Sequence, residues 1–313
     1  MLKKRKIIID TDPGQDDAIA ILLALASPEL DVIGITSVAG NVPISLTTDN
    51  VRKICELANK NTTLVYSGSE KPMNRTLFTA EYVHGATGLN GVQLPEPSMP
   101  VQDQHAVDFI VDTVRTHSEK SITLCTLGPL TNIGHALSKA PDIAERIKEI
   151  VMMGGGLFEG GNVTPAAEFN IYVDPDAASI VFNAGVPLVV MPLDVTHKAL
   201  TTNERIAAFR ALGTRVGAVA ADWLAFFERF DVEKYGTEGG PLHDPNVIAY
   251  LLKPALYDGR QINVDIETES SLTMGMTVAD YWRVTDKPRN AMWMTNVDTD
   301  GFYSLLIERL SLL

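Results

Sequence analysis

The chain has 313 residues, of which 45% are hydrophobic and 21% are charged, which is typical of a globular protein with one large domain or two smaller ones. Its net charge of −13 argues against nucleic acid as a partner, because a protein that binds a polyanion needs a basic surface. A small neutral or cationic ligand remains compatible with this charge.

The apolar runs and the cysteines limit the class further. No apolar run is long enough for a signal-peptide core or a membrane span, so we expect a cytoplasmic protein without a membrane partner. Cys55 and Cys125 lie among apolar residues, so we expect reduced core residues rather than a disulfide or a thiolate metal site.

Short β-branched runs alternate with helical patterns from the start of the chain. The predicted strands are Arg5–Asp10, Asp31–Val38, Thr63–Ser67, Ile122–Leu127, Glu149–Met153 and Val186–Asp194. The predicted helices are Asp17–Ala26, Leu46–Asn59, His105–His117, Leu130–Lys139 and Pro175–Ala184. Strands that are apolar throughout and separated by helices are typical of a mostly parallel sheet covered by helices on both faces. We therefore predict an α/β fold with a single domain over residues 1–313.

Three segments do not follow this simple alternation. Residues 71–102 are rich in Pro and Gly, which is typical of either an active-site loop or a surface excursion. Residues 203–232 predict one or two helices, whose aromatic residues are expected to pack in the core rather than form a lid: Trp223, Phe226, Phe227 and Phe230. The C-terminal part predicts a helix at Val247–Leu252, strands at Ile262–Glu267 and Ala291–Val297, and a final helix.

Four carboxylates lie within eight residues near the start of the chain: Asp10, Asp12, Asp16 and Asp17. Two of them end the first predicted strand, and two open the following helix. Ligands of parallel α/β sheets bind at this edge of the sheet. A helix N-terminus tolerates negative charge, but capping explains one or two of these acids rather than four.

Further polar residues follow other predicted strands, namely Asn41, Asn162, Glu168 and Asn170, and the pair His243-Asp244 precedes an apolar helix. Carboxylates and carbonyl oxygens without cysteine or histidine at zinc spacing favour a hard cation, Ca²⁺ or the geometrically stricter Mg²⁺. The amides and acids suit a polyhydroxylated ligand such as a sugar.

The histidines separate into two groups. His105, His117 and His135 lie in amphipathic helices and are expected at the surface or between helices, while His197 is ambiguous. His84 lies in a loop with no core to join, and His243 adjoins an acid, so we expect both to be functional.

A set of motifs, in order along nearly the whole chain, resembles the nucleoside hydrolases (inosine–uridine-preferring N-ribohydrolases), and bacterial ribonucleoside hydrolases especially. The motifs are Asp10-Thr-Asp12-Pro-Gly-Gln-Asp16-Asp17, Val38-Ala-Gly-Asn41, His84-Gly-Ala-Thr-Gly88, Leu127-Gly-Pro-Leu-Thr-Asn132, Met152-Met-Gly-Gly-Gly156, Ala167-Glu-Phe-Asn170, Asp174-Pro, Leu193-Asp-Val-Thr-His197, His243-Asp-Pro245 and Gly275-Met-Thr-Val-Ala-Asp280. The first motif alone is moderately specific, and the ordered set is very specific.

The resemblance implies hydrolysis of ribonucleosides of the inosine and uridine type to free base and ribose, for nucleoside salvage, by a homodimer or homotetramer with one bound Ca²⁺. It implies Ca²⁺ ligands at Asp12, Asp17, Asp244 and the backbone carbonyl of Leu127. It assigns the ribose hydroxyls to Asp16, Asn41 and Asn170 on the 2′,3′ side and to Asn162 and Glu168 on the 5′ side. It also makes Asp12 the general base for the water, places His243 near the leaving base with His84 as a second candidate there, and places Asp10 behind the ligands.

This chemistry agrees with the residue types. Breaking the bond between C1′ and the base develops an oxocarbenium-like cation, which nearby carboxylates stabilise. The departing base needs a proton or a strong hydrogen bond, which histidine can supply near neutral pH.

Three positions mark departures or open points. Gln15 stands where family members often have His or an apolar residue, and we interpret it as lying beside the motif with little consequence. Asp231, four residues before Tyr235, stands where related bacterial enzymes often have an aromatic residue or an amide facing the base. We predict that Asp231 and Tyr235 contact the base, and leave open whether it is a purine or a pyrimidine.

Two alternatives remain from the residues alone. Asp10-x-Asp12 after a strand also opens the metal-dependent phosphatases of haloacid dehalogenase type, although the following Pro-Gly-Gln-Asp-Asp and the sugar-binding set favour the hydrolase. A non-catalytic nucleoside-binding protein is the other alternative, which the presence of both Asp12 and Asp17 disfavours.

Overall fold

The structure is a computed structural model that describes residues 4–313. Within α11 (Arg215–Tyr235) its description leaves out the side chains of Glu228, Phe230, Asp231, Glu233, Lys234 and Tyr235. In the described part of the chain, no helix is both long and apolar enough to cross a membrane.

Eleven strands form two sheets in this part of the chain. The strands are β1 (Arg5–Thr11), β2 (Leu30–Ser37), β3 (Val65–Ser67), β4 (Ile122–Thr126), β5 (Glu149–Met153), β6 (Leu188–Met191), β7 (Leu200–Thr202), β8 (Gly239–Pro241), β9 (Tyr257–Ile266), β10 (Thr277–Asp280) and β11 (Ala291–Val297). Nine of them form the central sheet in the order β10-β9-β11-β6-β5-β4-β1-β2-β3, and β7 pairs with β8 in a small separate sheet. Pairing is parallel from β3 across to β11, and antiparallel from β11 through β9 to β10. The predicted mostly parallel sheet is confirmed.

Thirteen α-helical segments accompany these strands among residues 4–313. They are α1 (Gln15–Ala26), α2 (Ile44–Leu57), α3 (Glu81–His84), α4 (Ala106–Thr116), α5 (Thr131–Lys139), α6 (Ile143–Arg146), α7 (Phe169–Val173), α8 (Pro175–Asn183), α9 (Leu193–Thr196), α10 (Asn203–Arg210), α11, α12 (Pro245–Leu252) and α13 (Thr299–Leu310).

Both faces of the sheet are buried, as the continuous apolar strands predict. In β1, Ile7 and Ile9 pack into a core that contains α1, while Ile8 packs into the opposite core with α4 and α5. Because successive side chains of a strand point to opposite faces, an apolar run such as Ile7–Ile9 requires a cover on each side. The fold is a single α/β domain.

The order of the strands determines where a ligand can enter. The chain proceeds from β1 to β2 and β3 on one side, and then from β4 to β5 and β6 on the other. The loops after β1 and β4 therefore diverge, which opens a crevice at the carboxyl ends of these strands. The predicted strand ends with polar residues lie along this edge.

Two local predictions need correction. The strand predicted at 186–194 ends at Met191, because Pro192 cannot donate to the ladder and Leu193 begins α9. Three further strands, β7, β8 and β10, escaped prediction because they have only three or four residues each. The loop predicted at 71–102 contains the single-turn helix α3 and, at its end, an isolated β-bridge from Gln102 to Tyr66.

Candidate active site

A pocket lies at the carboxyl edge of the sheet, above the divergence of β1 and β4. Its lining includes the predicted site residues Asp12, Asp16, Asp17, Asn41, His84, Leu127, Asn162, Glu168, Asn170, His243 and Asp244, together with Ala80, Tyr82, Val83, Met153, Phe169 and Phe227. The loop that carries α3 therefore belongs to the site rather than to a surface excursion. Asp231 and Tyr235 were also predicted, but their side chains lie outside the described part of the structure.

One side of the pocket, the acidic end, consists of Asp12, Asp16, Asp17 and Asp244, all buried. Asp12 follows β1, and Asp16 and Asp17 lie in the first turn of α1. The hydroxyl of Thr11 and the N–H of Gly14 donate to Asp17. The compact turn after β1 thus brings three carboxylates together, and the start of α12 adds the fourth.

The carboxylate of Asp12 is enclosed by the backbone. The N–H of Asn41 donates to its Oδ2 at 2.7 Å. A Cβ atom at Gly40 or Gly128 would lie 2.0 or 2.2 Å from an Asp12 carboxylate oxygen, so only glycine permits this approach. The side chain is therefore fixed before any ligand binds.

The acidic end is electrostatically unfavourable by itself. Burial, and then the charge of Asp17, raise the pKa of Asp16 to about 8. Burial and neighbouring carboxylates also raise the pKa of Asp12 and of Asp244 well above the usual range. Carboxylate oxygens of Asp16, Asp17 and Asp244 all lie within 4.8 Å of one another, and Asp16 Oδ1 is buried without a hydrogen-bond partner among the described side chains. Such an arrangement fits a bound cation, which would neutralise the charges and leave the unpartnered Asp16 oxygen for a hydrogen-bond donor of a ligand.

A polar wall extends from the acidic end along the loop after β5. Asn170 Nδ2 donates to the Leu127 carbonyl at 2.7 Å, which leaves that oxygen a second lone pair. Glu168 accepts from three backbone N–H groups, at Gly155, Asn170 and Ile171, and burial nevertheless raises its pKa to about 7. Asn162 accepts from Phe169 N through Oδ1, so its amide nitrogen remains available to a ligand.

The opposite side, the aromatic end, consists of His84, Phe227 and His243. The ring of Phe227 stacks on His84 with centroids 5.4 Å apart and meets His243 edge-on at 6.4 Å. Burial lowers the pKa of His84 to about 3, and burial with the nearby His197 lowers the pKa of His243 well below its usual value. Burial therefore favours the neutral form of both imidazoles.

The aromatic end also contains groups that the sequence did not assign to it. Phe227 was expected in the core, as Trp223 indeed is, but it lies one turn further along α11 and lines the pocket. Thr196 Oγ1 lies 2.8 Å from His243 Nδ1 and so fixes that ring. Thr196 lies in the motif Leu193-Asp-Val-Thr-His197, but the motif does not specify this contact, and Phe227 lies in no quoted motif. Both roles depend on how α9 and α11 pack.

Gln15, which the sequence analysis placed beside the motif with little consequence, makes contacts with a pocket residue. Its side chain is fully buried, and it hydrogen-bonds to the side chain and the backbone of His84. The sequence did not predict these contacts, because His84 is 69 residues away in the chain.

The remaining predicted residues lie outside the pocket. Asp10 accepts from Thr36 and from Asn132 behind Asp12, which agrees with a supporting role. His105 and His117 cap the two ends of α4, as expected of surface histidines. The ambiguous His197 pairs with Glu159 at 3.2 Å, with its ring centroid 5.8 Å from that of His243.

A strand-order reversal that opens onto buried carboxylates, amides and histidines defines an α/β enzyme with an acidic ligand pocket. Residues 7–304 match the family model described as inosine-uridine preferring nucleoside hydrolase, and the chain belongs to this family. It is an enzyme of the ribonucleoside hydrolase type.

Relatives in sequence span nearly the full length. Over 305 residues the chain is 56% identical to an uncharacterised protein of Schizosaccharomyces pombe, covering 97% of this chain and 98% of that protein. It is 48% identical over 305 residues to the pyrimidine-specific ribonucleoside hydrolase RihA of Escherichia coli O1:K1, covering 97% of each.

Solved structures agree on the fold. The purine-preferring ribonucleoside hydrolase from Gardnerella vaginalis superposes with a TM-score of 0.91 at 35% identity, covering 98% of each chain. The inosine-uridine preferring nucleoside hydrolase from Bacillus anthracis, at 21% identity, superposes with a TM-score of 0.81 and covers 99% of this chain and 100% of that one.

Proposed function

We propose that this chain is a Ca²⁺-dependent ribonucleoside hydrolase that cleaves inosine- and uridine-type substrates to free base and ribose. The name of the 48% identical relative supports uridine and cytidine ahead of purine ribonucleosides. A cytoplasmic role in nucleoside salvage, as a homodimer or homotetramer, completes the proposal and rests on the family resemblance.

The acidic end carries the proposal. Three carboxylates whose oxygens lie within 4.8 Å, one of them with an unpartnered buried oxygen, repel one another unless protons or a cation neutralise them. The surrounding donors are all oxygen, which suits Ca²⁺ rather than zinc. We assign the cation to Asp12, Asp17, Asp244 and the Leu127 carbonyl, with Asp16 beside them. When bound, the ion would neutralise the carboxylates, orient the ribose diol and lower the pKa of a water in contact with it.

The ribose belongs at this end and along the polar wall. We assign Asp16 and Asn170 to the 2′- and 3′-hydroxyls with Asn41 beside them, and Glu168 and Asn162 to the 5′-hydroxyl; all five residues line the pocket. Asp12 uses Oδ2 to accept the Asn41 N–H, so Oδ1 remains to take a proton from the attacking water. As the bond to the base breaks, the carboxylates face the cationic ribose and stabilise it.

The base belongs at the aromatic end. Flat rings at His84, Phe227 and His243 suit a planar nucleobase, whereas charged oxygens do not. His243 is assigned to donate a hydrogen bond or proton to the departing base. Asp231 and Tyr235 stay predicted contacts of the base.

Ribose release tests the proposal. Purified protein is incubated with uridine, cytidine, inosine, adenosine, guanosine and their 2′-deoxy forms, with and without prior chelation, and reducing sugar is measured. We expect release from ribonucleosides, with weak release from the 2′-deoxy forms and loss of activity on chelation. The 5′-nucleotides of the same nucleosides serve as the control, with phosphate release as the readout.

Two outcomes would overturn the proposal. Phosphate release from nucleotides without ribose release would favour the phosphatase alternative, which membership of the nucleoside hydrolase family already disfavours. Tight nucleoside binding without turnover, in folded protein with Ca²⁺ bound, would favour the non-catalytic binding protein.

A further inference from the structure

Gln15 makes three hydrogen bonds to a single loop. Its Nε2 donates to the carbonyl of His84 at 3.0 Å and to the carbonyl of Asn90 at 2.9 Å. Its Oε1 lies 2.8 Å from His84 Nδ1. The side chain is completely buried at the first position of α1, next to Asp16.

These contacts determine which way the amide faces. Both carbonyls are acceptors only, so the two hydrogens of Gln15 Nε2 must point at them. The opposite orientation would place the amide oxygen against two carbonyl oxygens. Oε1 therefore faces His84, and since an amide oxygen only accepts, His84 Nδ1 must carry the hydrogen.

Packing around the ring of His84 holds it in this pairing. A Cβ atom at Gly14 would lie 2.3 Å from His84 Nδ1, so one side of the ring rests directly on the glycine backbone. Phe227 stacks on the ring with an interplanar angle of 22°. The imidazole is thus held in one orientation, with Nε2 as the nitrogen left for a ligand.

We infer that Gln15 is a positioning residue that holds His84 in the Nδ1-protonated tautomer, so that His84 Nε2 serves as a hydrogen-bond acceptor for the bound nucleoside. Naming the nucleoside as the occupant rests on the proposed function, whereas the tautomer does not. The low pKa of His84, caused by burial, agrees with a neutral ring whose Nε2 carries no hydrogen.

The inference divides the work between the two histidines of the aromatic end. A neutral His84 without a hydrogen on Nε2 cannot protonate the leaving base, so of the two histidines only His243 can take that role. His84 instead requires a donor on the substrate. Because the 2′- and 3′-hydroxyls are assigned to the acidic end, two kinds of donor are left: an N–H of the base, such as N3–H of uracil, or the 5′-hydroxyl of the ribose.

The tautomer can be observed directly without substrate. Two-bond ¹⁵N–¹H correlation spectra of protein labelled at histidine distinguish protonated from unprotonated ring nitrogens, and His84→Gln identifies the signal of His84. We expect a protonated Nδ1 and an unprotonated Nε2 at pH 7. A protonated Nε2 in the wild-type protein would overturn the inference.

Two substitutions of similar size separate positioning from simple structural support. Gln15→Met removes all three hydrogen bonds. Gln15→Glu keeps an acceptor oxygen against Nδ1, and its other oxygen, which faces the two carbonyls, is expected to be protonated in this buried site and so to keep one donor bond. We expect Gln15→Met to lose the fixed tautomer and about 10- to 100-fold in kcat/KM, and Gln15→Glu to keep the tautomer and most of the activity. Equal losses, or an unchanged tautomer in Gln15→Met, would contradict a positioning role.

Asn290 provides a matched control. Its Nδ2 also donates to two carbonyls, of Phe182 and Val264, and its Oδ1 accepts one backbone N–H. Asn290→Leu therefore removes the same kinds of bond far from the pocket. We expect it to lower the midpoint of thermal unfolding and leave the His84 tautomer and kcat/KM unchanged.

Substrate analogues identify the donor. 3-Methyluridine lacks the base N–H, and 5′-deoxyuridine lacks the 5′-hydroxyl. For each analogue, the loss in kcat/KM relative to uridine is measured in the wild type and in Gln15→Met. The penalty for the group that His84 accepts from should shrink by about tenfold in the variant. If neither penalty shrinks, His84 is not an acceptor for the substrate.

The failure of this inference differs from the failure of the proposed function. A wild-type protein that releases no ribose but shows the expected tautomer would refute the hydrolase and leave the role of Gln15 intact. An active wild type with a protonated Nε2 on His84 would refute the role of Gln15 and leave the hydrolase intact.

Discussion

The two ends of the pocket are built in different ways. The acidic end draws three of its four carboxylates from the loop after β1 and the first turn of α1, and strand pairing on both sides of β1 holds this segment. The aromatic end collects its three rings from α3, from α11 and from the second residue before α12, which are distant in sequence. The first is a local, preformed feature, whereas the second depends on how three segments pack.

This difference predicts which substitutions reduce catalysis on every substrate and which alter the response to a particular base. Substitutions at the acidic end should affect every substrate alike, because every substrate contains the same ribose. Substitutions at the aromatic end should depend on the leaving group.

The largest effect is expected from Asp12→Asn. The substitution keeps the shape of the side chain but removes the general base, so kcat should fall by about 10³-fold on every nucleoside. Initial rates of ribose release measure this.

Asp174→Asn is the control, since Asp174 is equally buried but accepts only structural donors, from Met73, Thr131 and Ala177. It should lower thermal stability with kcat nearly unchanged. Near-wild-type turnover by Asp12→Asn would remove Asp12 from the mechanism.

Glu168, beside the acidic end, should give a pH-dependent stability. Its pKa in the folded protein is about 7 against 4.5 for the free side chain, so between these values the folded state holds a proton that the unfolded state lacks. The free energy of unfolding should therefore fall as the pH rises from 4.5 to 7, by about 3 kcal/mol from this group.

Urea unfolding of the wild type and of Glu168→Gln, at several pH values in the same metal-free buffer, isolates this contribution. The variant should lack that part of the slope, because its amide does not titrate. Parallel curves would show that Glu168 is ionised throughout.

At the aromatic end, His243→Ala should distinguish leaving groups. We expect a loss of about 10²-fold on uridine or inosine, and a loss below about tenfold on p-nitrophenyl riboside, whose leaving group departs without a proton. The ratio of kcat/KM values on the two substrates gives the result. Equal losses on both would exclude His243 as the proton donor.

The smallest effect is expected from Phe227→Leu. Losing the ring between the two histidines should raise KM by about fivefold, equivalent to about 1 kcal/mol, with a small change in kcat. Phe302→Leu, at a fully buried ring in α13, should lower stability and leave KM unchanged. A change in KM in both variants would point to general loosening of the fold instead.

The same contrast explains how far the sequence could be interpreted. The alternation of apolar strands and helices, and the spacing of Asp12, Asp16 and Asp17, follow from local periodicity, so the fold and the acidic end could be predicted. The orientation of α11 places Trp223 in the core and Phe227 in the pocket, and no local pattern distinguishes these two aromatic residues. The role of Gln15 depends on the path of a loop 69 residues further along the chain.

The most direct test of the account is a calorimetric titration of chelated protein with Ca²⁺, followed by ribose release from uridine at each point. We predict one site per chain, activity that returns in proportion to its occupancy, and loss of both in Asp244→Asn. Full ribose release by the chelated protein, with no bound divalent metal detected, would contradict the assignment of the buried carboxylates to a catalytic cation.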